Sequence, residues 1–381
     1  MVVSRRALLA ALTLLAVPRA GVAQAPPATW RLSAAPSVTI GREGDRRTEF
    51  LRIGMVLRLA GGEIAVANGA SNEIRIFDRA GRYLRALGRT GAGPGEFRSL
   101  SLLGRSGDTL FIADAVNARI TLLLAGGTLA RTIPITARDS AARFSVVGRL
   151  RSGRWAVVTL STPNIYGPER TYRDTARVGV IAPDASGPVT WMGEFPGMTF
   201  FVHNPSNASH GDVVGPAPLG PTSVSAVVGD EVLIGDTGGN TLGVYSTAGA
   251  VLRLIQLPLE SRPLEDQEIL RLRNQALDRN PSERARPYLT ALYSRAAMGR
   301  TLPVFKSVVP TADGSLWVQP FPAGSEAVTW LVLDAAGGPR ASVRVPEGFE
   351  IREVGPDYVA GVHTDGDGVE TVRVYRLAPP A

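Results

Sequence analysis

Short apolar runs separated by polar loops recur at nearly equal intervals along most of this chain. Three of the runs end on an Asp or Asn that precedes a glycine by the same interval: Asn68 and Gly81, Asp114 and Gly127, Asp236 and Gly249. A second run, alternating between apolar and polar positions, lies between each of these residues and its glycine. Alternation is typical of β-strands, and a glycine suits a turn that needs positive φ. Each unit therefore predicts strand, loop, strand, tight turn and strand.

A further apolar run precedes each unit, so that the units have four strands, as one blade of a β-propeller has. Two less regular units are predicted at 146–195 and 304–345, and a last unit with three strands lies at 351–377. Residues 37–40 are predicted to supply the missing fourth strand, which removes the unpaired sheet edge. The predicted fold is all-β: a six-bladed β-propeller over residues 37–381, closed by an N-terminal strand.

One segment departs from the strand pattern. Ile269, Leu272 and Ala276 have helical spacing, and the pattern is broken at Asn280 and Pro281. Apolar residues at helical spacing return at 287–298. We predict a helical-hairpin insertion at about 263–299, between the fourth and fifth blades.

The first residues have the layout of a secretory signal peptide. Arg5 and Arg6 precede an apolar run at 7–17, and small residues follow before Gln24. The run is too short to span a bilayer, and no later segment is long enough to do so. We expect residues 1–23 to be a signal peptide, with export by the general or the twin-arginine route. The protein would then be periplasmic or secreted, and residues 24–36 would form a flexible lead-in.

Composition narrows the functional classes. Hydrophobic residues make up 44% and charged residues 20%, which excludes a disordered chain. The formal net charge is +7, but the arginines are scattered among acidic residues, so we expect no nucleic-acid interface. The chain has no cysteine, which excludes disulfides, thiolate catalysis and cysteine metal sites.

The strands that end on Asp or Asn, together with the segment GRTGAGPGEF at 88–97, resemble NHL-type repeats. The chain is similar to bacterial exported six-bladed propeller proteins, which are largely uncharacterised. The resemblance implies a propeller fold and no agreed catalytic set.

The long predicted loops fall on one face of the propeller, and loops on a rigid scaffold commonly carry function. Four residues that end second strands are expected on this face: Asn68, Asp114, Asp236 and His363. They can form a polar ring that binds a ligand or Ca²⁺, for which their oxygen atoms are suitable. Alternatively, each side chain satisfies backbone N–H groups of its own loop, as Asp and Asn commonly do.

His203 and His210 lie in one loop with Asp212, either as ligands of a metal ion or as solvated side chains. The leading hypothesis is a monomeric binding or scaffold protein that recognises a protein, peptide or glycan partner through this face. The alternative is a metal-dependent hydrolase similar to lactonases or phosphotriesterases, with water activated at the channel mouth. That alternative needs a convergent set, for which Glu63, Asn68, Asp114 and Asp236 are the nearest candidates.

Overall fold

The computed structural model describes residues 28–378 except 43, 107–108, 125, 127, 139–142, 161–168, 204–212, 281 and 322–326. The predicted signal peptide and His210 lie outside the described residues. Strands account for most of the described chain, and they form five sheets. The largest sheet, of nine strands, contains two blades, so the described residues form six blades.

Two strands precede the blades: β1 (Ala28–Leu32) and β2 (Val38–Ile40). Blade 1 contains β3 (Ile53–Arg58), β4 (Ile64–Asn68), β5 (Glu73–Phe77) and β6 (Tyr83–Leu87). Blade 2 contains β7 (Leu100–Ser106), β8 (Thr109–Asp114), β9 (Arg119–Leu124) and β10 (Leu129–Pro134). Blade 3 contains β11 (Phe144–Arg149), β12 (Trp155–Thr159), β13 (Arg170–Ile181), β14 (Thr190–His203) and β15 (Val213–Pro216). The strands of each blade pair antiparallel in chain order.

The second half of the chain repeats this plan. Blade 4 contains β16 (Ser223–Val228), β17 (Glu231–Asp236), β18 (Thr241–Tyr245) and β19 (Val251–Gln256). Three helices follow: α1 (Asp266–Arg279), α2 (Arg286–Leu292) and α3 (Arg295–Met298). Blade 5 contains β20 (Phe305–Pro310), β21 (Leu316–Pro320), β22 (Val328–Leu333) and β23 (Pro339–Val345). Blade 6 contains β24 (Phe349–Val354), β25 (Tyr358–Thr364) and β26 (Glu370–Ala378).

The helical insertion is confirmed, with three helices in place of the predicted hairpin. A separate third helix forms because Ser294 caps it, its hydroxyl accepting a hydrogen bond from the Ala297 amide. None of the helices in the described residues is long and apolar enough to cross a membrane.

Six of the apolar clusters in the described residues form the core of the ring, one between each pair of neighbouring blades. The second strands lie deepest, and every residue of β4 is buried. One cluster joins blade 6 to blade 1, where Val362 and Val372 pack with Ile64 and Val66. The other clusters join blades 1 and 2, 2 and 3, 3 and 4, 4 and 5, and 5 and 6. An open row of six blades would have five such interfaces, so the sixth shows that the ring is closed.

The N-terminal segment closes this ring, as predicted. β2 pairs antiparallel with β26 and supplies the fourth strand of blade 6. The prediction of a flexible lead-in at 24–36 is wrong for residues 28–32, because β1 lies there. β1 pairs parallel with β23 of blade 5 and antiparallel with β26. Trp30 on β1 packs beside Trp317, with ring centroids 6.0 Å apart, and so anchors the segment in the core between blades 5 and 6.

The two faces of the ring differ. We call the side with the connections between blades, such as 88–99 and 257–304, the loop face. We call the opposite side, with the tight turns 59–63, 229–230 and 311–315, the turn face. The long ends of β13 and β14, together with β15 and the helices, form a raised structure on the loop face. Phe201, Ala217 and Leu292 are buried at its centre.

Ile40→Ala tests the closure. Ile40 is buried in the cluster between blades 6 and 1, so the substitution removes apolar contacts at the closing interface. We expect a loss of about 2–4 kcal/mol in the free energy of unfolding, measured by urea denaturation. Thr39→Ala, exposed on the same strand, is the control and should change the free energy by less than about 0.5 kcal/mol. Equal losses from the two substitutions would contradict this account of the closure.

Candidate functional site

Asn68 and Asp114 end the second strands of blades 1 and 2, and both are buried. The Asp114 carboxylate accepts hydrogen bonds from the amides of Arg98 and Ser99, which belong to the connection between blades. It also accepts bonds from the Val116 amide and from Asn117. The Asn68 side-chain oxygen accepts a bond from the Leu51 amide at 3.1 Å. These bonds fit the second alternative, in which the side chains satisfy backbone groups of the loops.

Asp236 and His363 occupy the same position in blades 4 and 6 and are partly exposed. Asp236 accepts bonds from the Gly238 amide at 2.9 Å and from the Arg173 guanidinium at 2.8 Å. Burial of the His363 imidazole, together with the nearby positive charge of Arg373, lowers its pKa. These two residues lie at the ends of different blades, and Asp236 joins its own loop to Arg173 of blade 3.

His203 lies at the end of β14, inside the raised structure. Its Nδ1 is 2.7 Å from a carboxylate oxygen of Glu169, and its ring packs between those of Phe201 and Tyr288. Burial raises the pKa of the Tyr288 hydroxyl. This histidine therefore belongs to the packing of the raised structure.

The four side chains that the hydrolase alternative needs do not lie close together in the structure. Glu63 lies at the turn between β3 and β4, on the turn face, and forms an ion pair with Arg85 at 3.1 Å. Asn68, Asp114 and Asp236 lie at the opposite ends of their strands. Within the described ranges, no three side chains of His, Asp or Glu lie close enough together to hold a metal ion.

A cavity of about 1050 Å³ opens at the centre of the turn face. The first, innermost strand of every blade contributes to its wall, so it is the mouth of the central channel. Its volume lies at the upper end of the range found for small-molecule sites. A smaller cavity of about 660 Å³ lies on the loop face, between β2, blade 1 and blade 6, with Asn68 in its wall.

In each blade, one residue of the first strand pairs with the residue that begins the apolar run of the second strand. This position of the first strand is therefore equivalent in all six blades. The residues at this position, which we call the channel ring, are Arg58, Arg105, Arg149, Val227, Pro310 and Val354. All of them except Arg58 line the cavity. The ring is therefore basic in blades 1–3 and apolar in blades 4–6.

The three arginines of the ring have different partners. The Arg58 guanidinium lies 4.7 Å from the Tyr358 ring centre and 3.7 Å from a carboxylate oxygen of Asp357. The guanidinium of Arg105 is 3.6 Å from a carboxylate oxygen of Glu353, which is longer than a normal hydrogen bond. Arg149 lies over the ring of Trp155 at 5.3 Å, and among the described residues it has no carboxylate partner.

Glu353 joins three blades at this mouth. It belongs to β24 of blade 6, and it accepts a 2.6 Å hydrogen bond from the Arg58 amide of blade 1 while facing Arg105 of blade 2. Burial is the largest influence on this carboxyl and raises its pKa, against the lowering effect of the bonds from Arg58 and Tyr358. A buried carboxyl group therefore holds together the blades at which the chain closes.

The sequence reasoning missed the channel ring. A signal was present: Arg58, Arg105 and Arg149 each follow an apolar or glycine residue within two residues of the end of an apolar run. Aligning the first strands of the repeats would have placed the three arginines at one position.

Comparisons with known proteins agree with this architecture. Residues 45–134 match the model of the family DUF5128, described as a 6-bladed beta-propeller. The RING finger protein nhl-1 of Caenorhabditis elegans is 28% identical over 85 residues, which cover 22% of this chain. The match spans only 9% of the length of that protein. The resemblance to NHL-type propellers is confirmed by these matches at the level of the repeat.

Two solved structures cover nearly the whole chain. A member of the DUF4221 family from Bacteroides vulgatus has a TM-score of 0.52 at 11% identity, covering 93% of this chain and 100% of its own. A putative exported protein from Bacteroides fragilis has a TM-score of 0.50 at 11% identity, with coverages of 94% and 98%. At this identity the likeness shows the fold alone. The six-bladed propeller is confirmed by the blades of the structure together with the family model.

Asp114→Ala tests whether this residue has a structural role. The substitution leaves several buried amides without an acceptor, so we expect a loss of about 3 kcal/mol or more in the free energy of unfolding. Asp236→Ala, at the equivalent but partly exposed position, should cost about 1 kcal/mol. Urea denaturation of both variants measures the difference. A loss for Asp114→Ala no larger than that for Asp236→Ala would contradict the role.

Glu353→Gln tests the raised pKa. Because the folded state favours the protonated carboxyl, the stabilisation from Glu353 is present below its ordinary pKa and is lost as the pH rises through the raised pKa. Glutamine does not ionise, so the variant should gain stability relative to the parent as the pH rises above the ordinary pKa of a glutamate, about 4.3. Urea denaturation at several pH values measures this gain. The control is the exposed Glu347→Gln, and a difference for Glu353→Gln that is independent of pH would count against the assignment.

Proposed function

We propose that this six-bladed propeller is an exported binding protein whose ligand occupies the channel mouth on the turn face. The observation that carries the proposal is the cavity of about 1050 Å³ to which the first strands of all six blades contribute. A site built from six rigid strands is pre-formed, which reduces the entropy that binding must overcome. The signal-peptide pattern at 1–23 supports export.

The wall of the cavity combines the two kinds of surface that ligand sites use. Val227, Val309 and Val354 present partly exposed apolar side chains, and Arg105 and Arg149 line the opposite side. Ligand sites are commonly apolar with a few placed polar groups. This combination of apolar surface and charged groups favours ligand binding as the role of the cavity.

The turns around the mouth are fixed to one another. The Arg151 amide donates to the Gly229 carbonyl at 2.9 Å, and the Ser152 amide donates to the Asp230 carboxylate at 2.7 Å. The bond from Ser152 is the main cause that lowers the pKa of Asp230. These contacts join blades 3 and 4 at the rim, and they support a mouth of constant shape.

The absence of native cysteine provides a direct test. A single Ala312→Cys substitution places an environment-sensitive fluorophore on the exposed turn of blade 5 at the cavity, and Ala92→Cys places the same label on the loop face. The probes are small carboxylates, phosphate esters, neutral oligosaccharides and short peptides. We expect at least one class to change the fluorescence at Ala312 in a saturable way and to leave the label at Ala92 unchanged.

Two outcomes would contradict the proposed site. One is a panel in which no probe alters the label at Ala312. The other is a panel in which each binding probe alters only the label at Ala92, which would place recognition on the loop face.

A further inference from the structure

The channel ring divides into two contiguous halves that face each other across the channel. Arg58, Arg105 and Arg149 belong to three successive blades, and Val227, Pro310 and Val354 belong to the other three. Because the blades are arranged in chain order around a closed ring, each half occupies one side of the mouth. A molecule at the centre therefore meets Arg105 and Arg149 on one side and the three apolar ring residues on the other. The rim of the second side also carries charge, from Asp230, Glu231, Asp313 and Arg352 among others.

The arginine half of the channel ring has guanidinium groups that can bind an anion. Among the described residues Arg149 has no carboxylate partner, and stacking of its guanidinium on Trp155 leaves the N–H groups at its edge for a ligand. Arg151, on the following turn, is exposed, but its charge already acts on the nearby Asp230 carboxylate. Arg253 on the rim is already paired with Glu231 at 2.8 Å.

The apolar half has surface that a ligand can cover. Val227, Pro310 and Val354 are only half-buried. Val309 adds a further partly exposed side chain beside Pro310. Covering such surface is favourable at about 25 cal/mol per Å². The cavity is also large enough for a ligand with an apolar body of many carbon atoms.

We infer that the channel ring binds a free amphiphilic anion, in which a carboxylate or phosphate monoester is joined to an apolar chain or ring system. This inference rests on the proposed function and names the ligand class of the same site. The acidic group lies against Arg105 and Arg149, and the apolar part lies against Val227, Pro310 and Val354.

The test uses the complete chain labelled at Ala312→Cys, with octanoate, octanamide and acetate as probes. Octanamide keeps the apolar chain without the charge, and acetate keeps the charge without the chain. We expect octanoate to bind with a Kd at least about tenfold lower than either of the other two. Loss of one charged hydrogen-bond partner is expected to raise a Kd by about tenfold or more, so Arg105→Ala and Arg149→Ala should each weaken octanoate to that extent.

Arg98→Ala, an exposed arginine on the loop face, is the matched control and should leave the Kd for octanoate unchanged. Vesicles of phosphatidylglycerol present similar chemistry in a bilayer, and they should leave the label unchanged because the site is concave. The inference would be overturned if octanamide or acetate bound as tightly as octanoate, or if the vesicles changed the fluorescence of the label. It would also be overturned if Arg105→Ala and Arg149→Ala both left the Kd for octanoate unchanged.

The failures of the two proposals can be told apart. If other probes change the label at Ala312 and octanoate does not, the ligand class is wrong and the site stands. If octanoate changes only the label at Ala92, the proposed site itself is wrong.

Discussion

The structure depends on the pairing of the two ends of the chain. β2 completes blade 6 by pairing with β26. β1 pairs both with β23, the outer strand of blade 5, and with β26. Without this segment the interface between blades 6 and 1 would lose Ile40 and the cover of its outer edge. Because each blade buries its apolar faces only against its two neighbours, closure determines how all six interfaces are held.

Closure also shapes the channel mouth. Glu353 connects blade 6 to blades 1 and 2 at the point where the ring joins, and three of the six ring positions belong to these blades. The chain thus places a largely buried carboxyl group against the backbone of Arg58 and beside Arg105, which lines the cavity. The position of the arginine half of the ring, and with it the proposed recognition of an anion, follows from how the last blade meets the first.

The blades could be predicted from the sequence because their signals are local. Buried second strands appear as continuous apolar runs, and the repeated Asp or Asn marks their ends, as at Asn68 and Asp114. β1 was missed because a short strand that pairs with a distant blade has no local signature. The hydrogen bonds and ion pair of Glu353 likewise join residues that are far apart in the chain, so no local sequence pattern predicted them. The arginines of the ring resembled ordinary strand-end charges until the ladders showed that they occupy one position.

Hydrogen exchange measured by mass spectrometry tests most directly whether closure holds the mouth in shape. The comparison is between the full chain and one that lacks residues 28–40. The account predicts faster exchange in β26 and also in the first strands β3 and β24, whose positions depend on the joined ends. Faster exchange confined to β26, with β3 and β24 as protected as in the full chain, would contradict it.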